Sequence, residues 1–202
     1  MDLASHQRIL LGLMRANYQP GAGDAPYYHH VAASPDLQEA RGNVHLWRIY
    51  VLERTCVLTV ELLRQACLLD EALEAFIREQ NIPPFREYQP LAFLDFLAGH
   101  DDPLVVSVSQ FELALMKVRE GDPCHYFVDW SYAPAPILNA LAQGAALPDT
   151  APPDLHRIEI GIDLPHLFEI NRLARDSANW RSRFHTARTR GSRYKSTGAT
   201  SQ

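Results

Sequence analysis

The chain has no apolar run approaching the roughly 20 residues that a membrane-spanning helix requires, and no acidic residue after Asp176. Its longest apolar-rich stretch, Trp47 to Leu69, is broken by Arg48, Glu53, Arg54, Glu61 and Arg64, the texture of a helix with a wet face. The opening MDLASHQRILLGLMRANYQ has an acid at its second position and lacks a small-residue cleavage pattern. No signal peptide is therefore expected, and the expected compartment is the cytoplasm. Cysteine is scarce: Cys56, Cys67 and Cys124 are odd in number and form no CxxC, so reduced thiols are expected and a disulfide framework is not. Cys56 and Cys67 stand eleven residues apart, about three helical turns, and read as small core residues on one helix face.

Motifs for chemistry are missing too. There is no Gly-x-Ser-x-Gly, no Gly-x-Gly-x-x-Gly and no phosphate loop, which removes the familiar signals for acyl transfer and nucleotide binding. The nine histidines and three cysteines are scattered without catalytic or metal-ligand spacing. No catalytic residue, metal or cofactor is assigned to this chain. A thiol-dependent enzyme using Cys56, Cys67 or Cys124 remains as a minor alternative, to be met by an exposed, low-pKa thiol.

What is present is enough to fold. The 202 residues are 47% hydrophobic, ordinary for a globular protein. Net charge is −5 and unevenly spread. Arg181, Arg183, Arg188, Arg190, Arg193 and Lys195 are six of the 19 basic residues, leaving 13 against 24 acids, or −11, over residues 1–180. A basic tail on an acidic body can contact nucleic acid or an acidic partner, or simply be solvated. A DNA-binding protein is thus the alternative reading, against which stands the −11 body, since DNA binders usually carry a basic face on the folded domain.

Periodicity predicts a first helix over Leu3 to Asn17, then a loop, QPGAGDAPYYHHVAASPD, with three prolines and two glycines. A single long helix is expected from about Val44 to Leu69, and another over Glu71 to Gln80, capped by Asp70. QPLAFLDFLAG reads as a short helix with Pro90 near its start and Gly99 past its end. Asp102 and Pro103 open the clearest helix, which Gly121 closes. Its residues Leu104, Val108, Phe111, Leu115 and Val118 form one apolar stripe. The texture changes at Cys124: a strand over Tyr126 to Trp130, a helix over Ile137 to Gln143 ended by Gly144, and an alternating RIEIGID strand. LPHLFEINRL fits either a second hairpin strand or a helix, and 177–190 is expected to add an amphipathic helix with Trp180 and Phe184 inward. The fold class is mainly α with a C-terminal α+β module.

Three clusters invite functional readings. YYHH (27–30), with His45 not far off, suggests a metal, but adjacent histidines point in different directions and no His-x3-His pair supports them, so a docking surface is an equal reading. GHDDP (99–103) is accounted for as a helix end and a cap. Glu112 is either a buried acid or a residue at the solvent edge. The best candidate is the strand Arg157, Ile158, Glu159, Ile160, Gly161, Ile162. As an exposed edge it would take an extended peptide by strand addition, with pockets between Ile158, Ile160 and Ile162. Alternatively these isoleucines simply pack the module onto the bundle.

The run IPPFREYQPLAFLDFLAGHDDPLVVSVSQFELALMKVREG resembles a family long labelled as DNA-binding domains, whose members are partner proteins of multinuclear non-haem iron peptide-modifying oxidases. The matching residues are Pro83 and Pro84, Tyr88, Phe96–Leu97–Ala98, Pro103 and Phe111–Glu112, with VHLWRIYVLERTCVLTVELL fitting the preceding helix. The likeness covers roughly residues 40–173. It implies a helical domain (1–122) followed by a winged-helix-like recognition module (123–190), while the last residues (191–202) read from their composition as a disordered basic tail. It also implies a heterodimer in which the iron and oxygen chemistry belong to the partner enzyme. This chain would bind the leader of a ribosomally synthesised precursor or carrier peptide. Within the family it looks most like accessory subunits of the 3-thiaglutamate pathway, where the β-carbon of a C-terminal cysteine is removed. The chain departs from the family where ARDSANWRSRFHTARTRGSRYK replaces a fuller helix-turn-helix.

Overall fold

The computed structural model describes residues 2–80, 82, 85, 87–148 and 154–173. Within these, the order is α1 (Leu3–Met14), α2 (Pro26–Ala32), α3 (Pro35–Thr55), α4 (Val57–Gln65), α5 (Leu69–Glu79), α6 (Gln89–Phe96), α7 (Pro103–Arg119), β1 (Tyr126–Trp130), α8 (Pro134–Ala142), β2 (His156–Ile160) and β3 (Phe168–Arg172). The expected helix over 177–190 and the tail 191–202 lie outside the described residues, as do Pro83 and Pro84.

The first three helices close a small core of their own. Asp2 caps α1 by accepting from Ser5 N at 2.7 Å, and Leu13, Tyr28 and Leu37 are buried together. The predicted loop after α1 contains α2, because Pro26 supplies a pre-set first helical residue. Tyr28 then reaches His6 Nδ1 at 2.9 Å. Arg41 Nε donates to Leu13 O at 3.0 Å and satisfies the end of α1. α3 also begins earlier than expected, with Ser34 accepting from Asp36 N at 3.1 Å and Pro35 behind it.

The long helix expected over Val44–Leu69 is two helices. Cys56 leaves helical geometry (φ −113°, ψ 54°), and α4 starts with no side-chain cap of its own. The cap comes from α7: Glu112 Oε1 and Oε2 accept from the amides of Leu58 and Thr59, both at 3.0 Å. A carboxylate at this end also meets the positive pole of the helix. Thr55 Oγ1 donates to Val51 O at 2.8 Å, a back-bond that bends helices. Glu112 is thus the buried acid, 7% exposed. Burial raises its pKa, while its bonds to the Thr59 and Leu58 amides pull it down.

α7 is the axis of the molecule. Asp102 caps it as expected, accepting from Leu104 N at 2.8 Å. Its burial extends beyond the predicted stripe to Val105, Leu113 and Ala114, as suits a helix packed on several sides. It contacts α4, α6, β1 and β2. Phe76 and Phe93, both fully buried, meet edge-on at 5.3 Å, and each such side chain contributes about 1.5–3 kcal/mol by leaving water. Asp70 does not cap α5; it lies within the helix and pairs with His45 at 3.0 Å. Buried Arg48 ties α3 to the chain before α6 through Ile82 O (2.8 Å) and to the start of α6 through Gln89 Oε1 (3.2 Å).

β1, β2 and β3 form one antiparallel sheet in that order. Its inner face, Val128, Trp130, Ile158 and Ile160, joins the same core as α4 to α8, so the core is continuous across the 122/123 boundary. Trp130 and Phe168 both turn toward Phe111, at 6.5 and 5.2 Å. α7 and α8 close at glycines with positive φ, Gly121 (97°) and Gly144 (61°).

The shared cap makes Glu112 a measurable stability determinant. Glu112→Ala leaves two amides at the start of α4 unsatisfied and is expected to cost about 2–4 kcal/mol in urea unfolding. Glu112→Gln, which retains one acceptor, is expected to cost less.

Candidate functional site

The sheet corrects the expected peptide edge. Arg157, Ile158, Glu159 and Ile160 lie in β2, which is paired on both sides and has no free main-chain groups for a guest strand. Ile158 and Ile160 are fully buried. Arg157 forms a two-point pair with Asp129, at 2.7 and 3.1 Å. Gly161 and Ile162 are outside the strand, and Ile162 is 53% exposed, so the predicted alternation stops at Ile160. No row of three inward isoleucines exists. The reading of Ile158 and Ile160 as packing residues is the one the structure supports.

The alternation stops because Gly161 begins the hairpin turn. Its amide donates to Leu167 O at 3.0 Å. A Cβ there would lie 2.9 Å from the His125 ring, so any larger residue would push that ring out of its present position. His125 closes the turn from outside: Nδ1 contacts Glu159 Oε1 at 2.8 Å and Nε2 contacts Asp163 Oδ1 at 2.7 Å. Its pKa is raised, first by the hydrogen bond to Glu159 and then by the Asp163 charge. LPHLFEINRL resolves into a short 3-10 turn, Pro165–Leu167, followed by β3.

Among the described residues the free edge on the far side of β2 is β3. The bonds Gly161 N to Leu167 O and Leu173 N to Leu155 O fix the ladder. Odd-numbered residues of β3 therefore bond to β2, and even-numbered ones point away from it. The amides and carbonyls of Phe168, Ile170 and Arg172 thus face outward, without a partner among the described residues. The opposite edge is less open, since Ser107 Oγ donates to Asp129 O at 3.2 Å. Sequence reading missed β3 as the edge because strand order is a tertiary fact; the alternation Phe168, Ile170 was the only local signal.

No family model, curated protein or solved structure matches this chain. The residues of the IPPFREYQPLAFLDFLAGHDDPLVVSVSQFELALMKVREG run are spread over the helical part of the fold. Of those residues, Tyr88 is exposed at the start of α6, Pro103 opens α7, and Phe111 and Glu112 are buried in the core.

The other candidates are placed as follows. Tyr27 is exposed, Tyr28 is buried against His6, and His29 Nε2 bonds Gly21 O at 3.0 Å. Among the described residues no group of three or more His, Cys, Asp or Glu is arranged to hold a metal ion. His100 Nδ1 accepts from Asp102 N at 3.0 Å, within the helix end and cap. Cys56 is buried, and burial pushes its thiol far up. Cys67 and Cys124 are exposed, which corrects the core reading of Cys67. Asp122 raises the Cys124 pKa by accepting its hydrogen bond, the opposite of an activated nucleophile.

Two outcomes follow for solution measurements. Because the folded pKa of His125 is raised, its contribution to stability is full below about pH 6.5 and is lost as pH rises through the folded value. The melting-temperature difference between the wild type and His125→Gln should shrink over that interval. Thiol reagent at neutral pH is expected to modify Cys67 and Cys124 in the folded protein and Cys56 only after denaturation. Rapid labelling of Cys56 would contradict its burial.

Proposed function

We propose that this chain is a non-catalytic partner subunit that binds an extended precursor peptide and presents it to a multinuclear iron oxidase. The observation that carries the reading is the β3 edge, whose outward amides and carbonyls at Phe168, Ile170 and Arg172 can continue the sheet. The β1–α8–β2–β3 module beside a helical bundle is compatible with a winged-helix-like recognition element. The resemblance over residues 40–173 supplies the class of partner and of peptide, the leader of a ribosomally made precursor. Main-chain bonds along β3 provide affinity, and the half-buried Phe168 and Ile170 contribute apolar contact.

The finer assignment, to a carrier peptide whose C-terminal cysteine loses its β-carbon, follows from the resemblance alone. The iron chemistry belongs to the partner, and this chain positions the substrate. DNA binding is disfavoured by the −11 charge of residues 1–180.

Co-purification from the native host tests the proposal. Tagged wild type is expected to recover an iron-containing enzyme and a short peptide. Ile170→Pro, which removes an outward amide at an edge position where proline is tolerated, is expected to recover the enzyme without the peptide. Recovery of the chain alone, or with nucleic acid, overturns the reading. Raising salt from about 50 to about 200 mM separates the cases, since a DNA complex then weakens by about 10³-fold or more.

A further inference from the structure

We propose that the β3 edge selects an extended segment with apolar residues opposite Phe168 and Ile170 and a lysine or arginine opposite Glu169. This rests on the strand-addition reading and names the chemistry of the guest.

The two faces of the sheet impose the pattern. A strand laid outside β3 shares its pleat, so guest residues opposite Phe168 and Ile170 face the core side and the one opposite Glu169 faces water. Phe168 and Ile170 are half-buried against the main core, Phe168 edge-on to Phe111 at 5.2 Å. Apolar guest side chains extend that cover.

The charge requirement comes from one cross-strand pair. Glu169 stands directly opposite Glu159 in the β2–β3 register, and like charges so placed repel. Glu159 has His125 at 2.8 Å. Glu169 is exposed and has no cationic partner among the described residues: Arg157 is held by Asp129 and Arg172 by Asp154. A guest residue directly opposite Glu169 has its Cβ about 4.5–5.5 Å away, within reach of a lysine or arginine head group. The β1 edge offers no equivalent, because its outer carboxylate, Asp129, is already paired with Arg157. The acidic body strengthens the same preference at long range.

The test uses the full chain and two synthetic peptides of alternating valine and threonine, one with a central lysine and the other with a central glutamate, titrated by calorimetry at low salt. The lysine peptide is expected to bind roughly 3- to 10-fold more tightly. Glu169→Lys should invert that order, whereas Glu74→Lys, the same charge change on α5, should leave it in place. If Glu169→Lys leaves the order unchanged while Ile170→Pro abolishes binding of both peptides, strand addition stands and the charge selection is overturned. If neither peptide binds, both readings fall. A concentration-dependent dimer of the free chain that Ile170→Pro dissociates would give the edge to a second copy and overturn the guest proposed here.

Discussion

The Glu112 carboxylate is the joint on which the helical part depends. It lies on α7 and caps α4, bonding the amides of Leu58 and Thr59. Helix starts usually find their acceptors within the first turn, but Cys56 offers none. The long-range cap lets the chain break at Cys56 and fold α4 against α7 instead of continuing α3. It also explains why an acid is tolerated in a helix otherwise buried on most sides: two amides and a helix pole reduce the cost of removing it from water, although burial still raises its pKa.

A second joint holds the sheet. α7 carries Phe111, which receives Trp130 from β1 and Phe168 from β3. The helix that caps α4 therefore also supports both outer strands, and the bundle and the sheet share one core. The outer face of the sheet is uncovered among the described residues, and its polar contacts are Asp129–Arg157 and His125 between Glu159 and Asp163. His125 fixes the turn at Gly161, and that turn sends β3 back along β2. The turn, and not β2 itself, determines where the free main-chain groups lie.

This arrangement changes what a binding edge means here. An alternating strand such as RIEIGID has the look of a half-exposed sheet member, and Ile158 and Ile160 do face one way. Their full burial identifies them as core, and pairing on both sides removes β2 as a docking edge. The less conspicuous β3, half-buried at Phe168 and Ile170, carries the outward amides. A free edge is a hazard unless it is blunted, and Glu169 places an exposed charge on this one.

The sequence alone determined the elements whose signals are local. Asp102, Pro103 and Gly121 delimited α7, the alternation of Tyr126, Val128 and Trp130 located β1, and the change from bundle to mixed module at Cys124 was legible because periodicity shifts there. Caps, glycines and pleats act over a few residues, so they are written in the chain. Three features needed the tertiary structure. The break at Cys56 depends on a carboxylate from another helix, which no local pattern records. Helix α2 lay within a segment rich in turn formers and is held by Tyr28 packing against α1. The identity of the open edge depended on strand order, and strand order is set by which faces find a common core, a property of the whole fold and not of any one stretch of residues.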